Sequence, residues 1–549
     1  MKKLFTSMAM LALVATSASA QWTPSDKDFT VFGTDSCYNG GGLKSLRTPQ
    51  GNVVVTWYEW PKGLRYDDPA SGYYLHMQIY DKDGKAKFQK GGLLVSARPT
   101  QSSTTDYGLS LADNGDIILG YFDTRNDATK YSSNMFAYRY TQDGQPVWSA
   151  DGIAFSPVTK YNRGSEMVPQ IVVSGNNLYF GCYHNEYYMV EADSTNWQPN
   201  PFDPDEQMPD SVQMDYSTYQ LQCLNADGTA KWAEPKVFDL RNVFPYAAPD
   251  GDLYLLYGNS GSGLDAQRIN AEGNNVWGQA INVESEPLTS SMFFPTPTVE
   301  SDGQGGLMLA YRRLTQWSGY IVLNHLQQDG TVFEDATNCN GTTDGDGDNP
   351  KLAVKDGRAV VAWKYKLTSE SMVVNQFSLD GDYTWEGDSL LGYTVAENKL
   401  WGVTPVRVIP QQNGWGMLYG DGQSWNGANF YVEKIDFDGR TMWKKQIAEN
   451  DCKSSGFAVT YDDKNAYIFY TCNKEIDDNW EEVPGPGGFR LMVVDITDST
   501  NGIATPTTGQ ANAAQAVYYN AQGMQVARAN QPGLYLVKQG NDVKKVMVK

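Results

Sequence analysis

Acidic side chains lie at the predicted ends of several strands, where they could perform acid–base chemistry on a polysaccharide. A glycoside hydrolase needs two carboxylates separated by about 5–10 Å. The candidate carboxylates are Glu59, Asp67, Asp68, Asp123, Glu186 and Asp421. Because Asp and Glu together number 64 in a chain of 549 residues, such candidates arise easily, and no catalytic sequence motif accompanies them. The sequence therefore leaves enzymatic activity open and favours binding over catalysis.

Aromatic residues end the second strand of each predicted repeat, and polar residues adjoin them. Aromatic faces suit the C–H faces of sugars, so such a ring could hold a glycan. Packing between repeats is the favoured alternative, because positions that recur in every repeat usually serve the repeat itself. The aromatic residues are Trp57, Tyr121, Tyr183, Tyr257, Tyr311, Trp363, Tyr419 and Tyr470. The candidate ligand-binding residues are Trp57, Glu59, Asp123, Arg125, His184, Glu186, Arg312, Arg313, Asp421 and Trp425.

Three aspartates alternate in the segment TDGDGDNP at 343–350 and could converge on a calcium ion. Asp344, Asp346 and Asp348 resemble the opening of a calcium loop. The later positions depart from that pattern, since Asn349 stands where glycine is required and Lys355 where glutamate is required. A solvated acidic turn is the favoured alternative. Calcium is thus the one candidate cofactor, and the chain's 3 histidines show no metal-ligand spacing.

Six cysteines are compatible with disulfide bonds if the chain is exported. Cys37 and Cys452 precede the first hairpins of the first and last repeats, which would adjoin in a closed ring. We predict a disulfide between them, with Cys452–Cys472 as the competing pair. Buried free thiols are the alternative for the cysteines as a group.

A short phrase that recurs seven times sets the architecture. It combines an Asp-Gly or Glu-Gly pair with a following aromatic residue, as in TQDGQPVW at 141–148 and NADGTAKW at 225–232. Asp-Gly between alternating runs is a strong hairpin signal, because glycine accepts the positive φ of a tight turn. The aromatic residue is expected to begin the next strand and to pack against the neighbouring repeat. The turn glycines are Gly84, Gly144, Gly228, Gly273, Gly330, Gly381 and Gly439.

Another hairpin precedes each of these turns, so that each unit contains four strands. Such units are typical of β-propeller blades. The eighth unit lacks its last strand, and the N-terminal segment DFTVFGTDS at 28–36 can supply it. This closure would leave no open sheet edge. We predict an all-β chain with an eight-bladed β-propeller, or alternatively seven blades, followed by a small β-sandwich-like C-terminal domain.

The two kinds of short glycine turn lie at one end of the predicted propeller, and the long loops lie at the other, which we call the loop face. Binding sites concentrate on loops held by a rigid scaffold. The longest loop, 184–217, is acidic, aromatic and rich in proline. Because structureless connections of this length are uncommon, we predict an ordered flap or small insertion.

The chain ends differ from the repeats. Residues 1–20 combine a basic start, an apolar run and Ala18-Ser19-Ala20, which is typical of a secretory signal peptide. The predicted domains are then a propeller at 21–498, a linker at 499–515 and a C-terminal β domain at 516–549. Residues 21–504 carry a net charge of −27, whereas residues 505–549 carry +4. This charge switch supports a boundary.

The C-terminal segment resembles the sorting domain of the type IX secretion system of the Bacteroidetes. The likeness lies in VYYNAQGMQV, PGLYLVK and KKVMVK, with matches at Gly523, Gly533, Tyr535, Val537 and Lys549. It implies the secretion machinery as a partner and an outer-membrane surface or extracellular location. The repeat turns also resemble, weakly, the Asp-box of sialidase-type propellers, which bears on topology alone.

The composition narrows the function. A net charge of −21 argues against a nucleic-acid partner, because phosphate binding needs clustered Lys and Arg. No apolar run in the mature chain is long enough to be a transmembrane segment. We predict an exported, cell-surface or secreted propeller that recognises a glycan or protein ligand through its loop face. The alternatives are a polysaccharide-acting hydrolase or lyase, and a structural surface protein without catalytic activity.

Overall fold

The structure is a computed structural model, and it is described here for a defined part of the chain. The described residues are 22, 24, 29–34, 37–64, 68, 70–100, 107–123, 125, 134–155, 169–198, 207–288, 296–315, 318–341, 346–366, 370–385, 393–398, 403–421, 429–448, 457–471, 475–476, 482–483, 488–497, 517–520, 525–526, 533–539 and 542–548. The chain divides into two compact units, Met1–Gly502 and Ile503–Lys549.

The first unit is an eight-bladed β-propeller built from four-stranded antiparallel sheets. Each blade runs in order from an inner to an outer strand. Blades 1 to 4 comprise β2 (Cys37–Arg47), β3 (Val53–Pro61), β4 (Tyr74–Tyr80) and β5 (Leu93–Leu94); β6 (Gly108–Leu111), β7 (Ile117–Asp123), β8 (Asn134–Tyr140) and β9 (Ile153–Ala154); β10 (Gln170–Ser174), β11 (Asn177–Glu191), β12 (Ser211–Leu224) and β13 (Lys236–Phe238); and β14 (Arg241–Ala247), β15 (Leu253–Gly258), β16 (Leu264–Ile269) and β17 (Ile281–Glu284). A 3₁₀ turn, Pro249–Gly251, joins β14 to β15.

The remaining four blades complete the ring. They comprise β18 (Thr298–Ser301), β19 (Leu307–Leu314), β20 (Gly319–Leu326) and β21 (Thr337–Asn338); β22 (Asp346–Lys355), β23 (Arg358–Lys366), β24 (Glu370–Ser378) and β25 (Tyr393–Asn398); β26 (Val403–Gln411), β27 (Gly414–Asp421), β28 (Asn429–Ile435) and β29 (Thr441–Ala448); and β30 (Phe457–Tyr461), β31 (Asn465–Thr471), β34 (Phe489–Asp495) and the N-terminal β1 (Thr30–Val31). Strands β32 (Glu475–Ile476) and β33 (Glu482–Val483) form a separate two-stranded ladder.

Closure of the ring uses the two ends of the propeller sequence, as predicted. Thr30 pairs with Leu491 and Val31 with Arg490, which makes β1 the outer strand of blade 8. Phe32 then packs in a core cluster shared by blades 8 and 1, together with Val53. The eight-blade prediction is therefore confirmed and the seven-blade alternative is excluded.

The core is divided among the interfaces between blades. The described residues form one apolar cluster for each adjacent pair of blades, including the pair that closes the ring. Strand β7 shows the rule: Ile117 and Leu119 face blade 1, whereas Ile118 and Phe122 face blade 3. Because successive side chains point to opposite faces of a strand, both faces of a blade must be apolar. This explains why the second strands are almost continuous hydrophobic runs.

The recurring turns adopt one hydrogen-bonding pattern. In blade 1 the Asp81 N–H donates to the Lys85 carbonyl, and the Gly84 N–H donates back to the Asp81 carbonyl. The Asp81 carboxylate also accepts from the N–H groups of Asp83 and Lys85. All seven turn glycines have positive φ, from +75° to +93°, as the sequence predicted.

The aromatic residue after each turn lies before the fourth strand rather than within it, except for Trp443 in β29. The prediction that it begins the strand was therefore wrong for the other six copies, in which the strand starts four to eight residues after the aromatic residue. In blades 1 to 5 the outer strand is only two to four residues long. The packing of the aromatic residue against the next repeat is confirmed. For example, Trp148 of blade 2 lies against the turn of blade 3, so that a Cβ placed at Gly228 would contact its ring. The Trp148 Nε1 donates to the carbonyl of Ala226 in that turn, 3.1 Å away.

Blade 8 lacks this turn, and the N-terminal segment supplies its aromatic residue as well as its outer strand. A Cβ placed at Gly84 of blade 1 would lie 2.8 Å from Trp22 Cδ2. The Trp22 ring also packs against Tyr467, with ring centroids 4.7 Å apart. Trp22 thus completes the contact that the repeat residues make between the other blades.

The second unit contains an antiparallel four-stranded sheet in the order β36-β35-β37-β38. The strands are β35 (Val517–Asn520), β36 (Gln525–Val526), β37 (Gly533–Gln539) and β38 (Asp542–Val548). Within the described part of the chain, no helix has the length and apolar character needed to cross a membrane.

Candidate functional site

Glu59, a candidate carboxylate at the loop face, joins the N-terminal segment to blade 1. Its side chain is 1% exposed. It accepts hydrogen bonds from Trp57 Nε1 at 2.8 Å and from the Thr34 N–H and Oγ1 at 2.9 and 2.5 Å. Thr34 follows the closing strand β1. Glu59 and Trp57 therefore serve the closure of the ring, and neither presents a free polar group to the loop face.

Asp123 and Arg125 form a buried ion pair with each other. Asp123 is fully buried, and the Arg125 side chain is 13% exposed. The guanidinium donates from Nε at 2.9 Å and from Nη2 at 2.5 Å to the carboxylate, and from Nη2 to the Tyr138 hydroxyl at 2.8 Å. Although burial lowers the pKa of Arg125, its contacts with Asp123 and Tyr138 outweigh this effect and raise the pKa. The negative charge of Asp123 is thus paired within blade 2.

Arg312 and Arg313 point to different partners. Arg313 donates from Nε to Glu284 at 2.9 Å, and Glu284 also accepts from the Tyr311 hydroxyl at 3.1 Å. This cluster joins the outer strand of blade 4 to blade 5. Arg312 instead donates from Nη2 to Asp346 at 2.7 Å, across to blade 6. Both arginines therefore connect neighbouring blades.

The candidate calcium residues lie at the start of β22. Asp346 accepts from Arg312 and, at 3.0 Å, from the Gly319 N–H. Asp348 is exposed and accepts from the Asn349 N–H at 2.8 Å, while Asp344 lies outside the described residues. Among the described residues no group of three or more His, Cys, Asp or Glu side chains is arranged to hold a metal ion. Calcium binding here stays a prediction, and it would have to compete with Arg312 for Asp346.

The remaining candidates are only partly described. His184 is buried at the point where β11 leaves the blade. The backbones of Cys37, Glu186 and Asp421 lie in strands, but their side chains fall outside the described part of the structure. Asp67, Trp425, Cys452 and Cys472 lie outside it altogether. Cys182, Cys223 and Cys339 are buried and form no disulfide bond.

The predicted ring of stacking platforms is instead interior packing. The second-strand aromatic residues are all buried except Tyr257, which is half-buried. Tyr121, for example, is fully buried, and its hydroxyl donates to the carbonyls of Tyr73 and Arg98. This confirms the packing interpretation and removes these rings from the surface.

The long segment of blade 3 is a β-hairpin that extends past the blade at the loop face. Strands β11 and β12 remain paired for eight residues beyond the Tyr183–Tyr219 pair, as far as Glu191 and Ser211. At about 3.3 Å per residue this adds roughly 26 Å. Tyr188 and Met214 lie opposite each other and are 51% and 37% exposed. The prediction of an ordered flap is confirmed for residues 184–198 and 207–217, whereas residues 199–206 lie outside the described part of the chain. The flap carries apolar side chains in contact with solvent.

Met189 and Met208 are also exposed, at 58% and 51%, but Met189 faces the side of β11 opposite to Tyr188 and Met208 precedes β12. Beyond the paired strands, residues 193–196 form a turn in which the Asp193 carboxylate accepts from the Thr195 hydroxyl and from the N–H groups of Thr195 and Asn196. These hydrogen bonds lower the pKa of Asp193. Isolated exposed apolar residues are ordinary, but several on one projecting element are typical of an interaction site.

A second cluster, which the sequence did not predict, lies along the propeller axis on the inner strands. It contains Tyr246 of blade 4, Glu300 of blade 5, Lys351 of blade 6, Arg407 of blade 7 and Tyr461 of blade 8. We call it the axial cluster. Arg407 Nη2 lies 3.5 Å from Glu300 Oε1, although their blades are separated by blade 6. This ion pair therefore connects two blades that are not adjacent, past the inner strand of blade 6.

Burial perturbs the charged groups of the axial cluster. It raises the pKa of Glu300, an effect that the charge of Arg407 only partly opposes. Burial and the charge of Arg407 lower the pKa of Lys351, whereas Asp348 opposes this shift. Burial also raises the pKa of Tyr246 and Tyr461. Pairs of ionisable groups perturbed in this way are typical of functional sites, although structural networks produce them too.

A third set of polar residues connects blades 2, 4 and 5 to the turn of the following blade. Arg139 donates to Asp116 in its own blade at 2.9 Å and to the Ala226 carbonyl of blade 3 at 2.8 Å. Arg268 bonds Asp252 and the Gln328 carbonyl in the same way. Each arginine stands two residues before its turn. A basic residue two positions before the turn could therefore have predicted this contact from the sequence.

His325 occupies the same position in blade 5. Its ring nitrogens lie 2.9 Å from Asp302 Oδ2 and 3.0 Å from the Leu379 carbonyl of blade 6. Both partners are hydrogen-bond acceptors, and the ring lies between them, so His325 connects blade 5 to blade 6. Burial raises the pKa of Asp302, but the His325 contact and the N–H groups of Gln304 and Gly306 outweigh it, so that the pKa is lowered. The histidine thus replaces an arginine in the repeat.

Because of the Asp302–His325 contact, part of the propeller's free energy of unfolding should depend on pH. A lowered pKa in the folded state means that this contribution is present above the ordinary Asp pKa of about 3.9 and is lost as the pH falls through the folded value. In urea unfolding between pH 5 and pH 2, the wild type should therefore lose more stability than Asp302→Asn. Asp143→Asn, which removes a carboxylate that is 80% exposed, should track the wild type. Identical slopes for all three proteins would contradict the prediction.

The fold and its repeated contacts define an eight-bladed β-propeller protein. No protein-family model matches the chain, and no characterised protein matches it in sequence. Similar solved structures include a protein of unknown function from Dyadobacter fermentans, with 9% identity and a TM-score of 0.38 over 85% of this chain and 97% of that one. The polysaccharide lyase Uly1 has 10% identity and a TM-score of 0.40 over 85% and 99%. The Hadza microbial sialidase Hz136 has 12% identity and a TM-score of 0.31 over 78% and 75%.

Proposed function

We propose that the protein is an exported propeller that binds a glycan or protein ligand at its loop face, and that the β11–β12 hairpin is the principal contact element. The observation that supports this proposal is the exposure of Tyr188, Met189, Met208 and Met214 on one ordered projection. Tyr and Met are enriched at binding interfaces because they bury large apolar areas. The rigid ring holds this projection in a fixed orientation.

Binding is favoured over hydrolysis because two of the candidate carboxylates are already used within the fold. Glu59 accepts from Trp57 and Thr34, and Asp123 is held by Arg125. An acid–base pair needs carboxylates that can exchange protons with a substrate and lie about 5–10 Å apart. Asp68, a third candidate, caps the Ala70 N–H at 2.8 Å.

Shortening the hairpin tests the proposal. Replacing residues 186–216 by Asn-Gly retains the paired register at Asn185 and Ser217 and supplies a favoured tight turn. We expect binding to an array of microbial and plant glycans to fall at least tenfold, with an unchanged melting temperature. A photo-crosslinker at Tyr188 tests for a protein ligand, and one at Val237, which is 60% exposed on the outer strand β13, is the matched control.

The results of these binding and crosslinking experiments distinguish a binding protein from an enzyme and from a structural surface protein. Release of reducing ends from a polysaccharide by the intact chain would replace the proposal by a hydrolase or lyase. Unchanged binding after shortening would place the ligand elsewhere on the loop face. Absence of array binding, together with no crosslink specific to Tyr188, would favour a structural surface protein.

Export and sorting form a separate part of the proposal. It rests on the signal-like sequence at 1–20 and on the compact second unit, Ile503–Lys549, with its basic character. A chain lacking residues 503–549 should accumulate inside the outer membrane, whereas the full chain should reach the surface or the medium. Fractionation with protease accessibility measures this, and equal surface exposure of both chains would argue against a sorting role.

A further inference from the structure

The axial cluster contains two cations that lack adequate anionic partners. Arg407 Nη2 approaches Glu300 only to 3.5 Å, and the buried Arg407 Nε has no hydrogen-bond partner. For Lys351, no carboxylate of the described residues lies within 4.0 Å of Nζ, and its side chain is half-buried. A buried polar atom without a partner, such as Arg407 Nε, is costly and needs an explanation.

The backbone directs both cations to the same place. Lys351 and Arg407 are each the first residue paired after a register shift, in β22 and β26, the inner strands of adjacent blades. β-Bulges re-aim side chains and are common next to functional sites. Two such irregularities side by side bring the guanidinium and the ammonium to one region of the axis.

Solvent reaches this region despite its position inside the ring. The side chains of Glu300 and Arg407 remain 34% and 40% exposed. Tyr246, Glu300 and Tyr461 lie close to the short hairpin turns of their blades, since their cross-strand partners are Tyr254, Met308 and Ala466. These three residues therefore lie toward the turn end of the axis, away from the β11–β12 hairpin, whereas Lys351 and Arg407 lie nearer the middle of their strands, opposite Ala362 and Leu418.

We propose that the axial cluster is a binding site for a small oxyanion, of the carboxylate or sulfate type, held between Arg407 and Lys351. The guanidinium would donate from Nε and Nη2, which is the geometry that planar oxyanions accept, and the ammonium would supply a point charge. In the absence of the anion Glu300 pairs with Arg407, and the bound anion displaces the Glu300 carboxylate. Asp348 is the other acidic group near Lys351, and it lies toward the loop face. The site is independent of the ligand proposed for the hairpin.

Titration calorimetry with sodium sulfate, at ionic strength held constant with sodium chloride, tests the site directly. We expect saturable binding to the wild type. Arg407→Gln and Lys351→Gln should each weaken it at least tenfold. Glu300→Gln should strengthen it several-fold, because the competing carboxylate is removed. A purely structural network would not change in opposite directions for the cation and carboxylate variants.

Arg440→Gln is the matched control, because it removes an arginine of the same blade that is 75% exposed. It should leave sulfate binding unchanged. Repeating the titration with acetate and with galacturonate distinguishes a free anion from an acid group carried on a sugar, since tighter binding of galacturonate indicates the latter. If Arg407→Gln does not fold, the Lys351 and Glu300 variants still decide the outcome. No saturable binding of any of the three probes, or equal affinity in all variants, would overturn the proposal.

Discussion

Replacing Asp123 by alanine should destabilise the propeller by about 3–5 kcal/mol, the usual cost of leaving a buried charge without its partner. The Arg125 guanidinium is 13% exposed and also packs over the Phe136 ring, 3.7 Å from its centroid. With the carboxylate gone, the acceptors that it would keep among the described residues are the Tyr138 hydroxyl and the Asp151 carbonyl. Neither carries a negative charge. The free energy of unfolding, measured in urea, gives the effect.

The chain contains a matched control for this substitution. Asp438 and Arg440 have the same spacing and also form an ion pair, at 2.9 Å, but they are 67% and 75% exposed. Exposed pairs contribute little, so Asp438→Ala should cost less than about 0.5 kcal/mol. The double variant Asp123→Ala/Arg125→Leu should recover much of the loss, because it removes the unpaired charge together with its partner.

The stabilities of Asp123→Ala and Asp438→Ala also distinguish a structural role of Asp123 from a role in binding a ligand. A carboxylate that binds a ligand or substrate is normally replaceable at little cost in stability, because its role lies outside the fold. If Asp123→Ala were as stable as Asp438→Ala, the interpretation of Asp123 as a structural residue would be wrong. It would then return to the candidate carboxylates of the loop face.

The sequence revealed the fold because the repeat carries its own local signals. The hydrogen bonds of each turn join residues of one short segment, as Asp81, Gly84 and Lys85 illustrate. The turn can therefore be recognised from the local sequence alone. The blade count and the closing strand followed from counting these units. The position of the following aromatic residue was misjudged, because whether Trp148 lies in a strand depends on a neighbour that the segment itself does not contain.

The site could be predicted only in part, because its contacts cross between blades. Glu59 was rightly placed at the loop face, but its partner Thr34 comes from the closing segment. The axial cluster escaped prediction altogether. Glu300 and Arg407 are 107 positions apart in the chain and belong to non-adjacent blades, so no spacing or periodicity connects them. Such convergence depends on ring geometry, which a linear pattern does not encode.

The contact between each turn glycine and the aromatic residue of the preceding blade leads to the second large effect. Gly144 has φ of +75°, and a Cβ there would overlap the Phe88 ring, lying 2.7 Å from Cε1. An L-residue at positive φ costs about 1–2 kcal/mol, and overpacking adds about 1–3 kcal/mol. Gly144→Ala should therefore destabilise the propeller by about 2–5 kcal/mol.

Gly357 separates the two contributions. Its φ of +72° nearly equals that of Gly144, but a Cβ there would meet nothing within 4 Å. Gly357→Ala should cost only the conformational part, about 1 kcal/mol. Phe88→Leu, combined with Gly144→Ala, should relieve the overlap, so that the double variant is more stable than the sum of the single effects by more than about 0.5 kcal/mol. Equal losses for Gly144→Ala and Gly357→Ala would mean that the turn needs glycine for its backbone alone. The ring would then be held by its apolar clusters without this contact, and Trp22 would be dispensable for closing it.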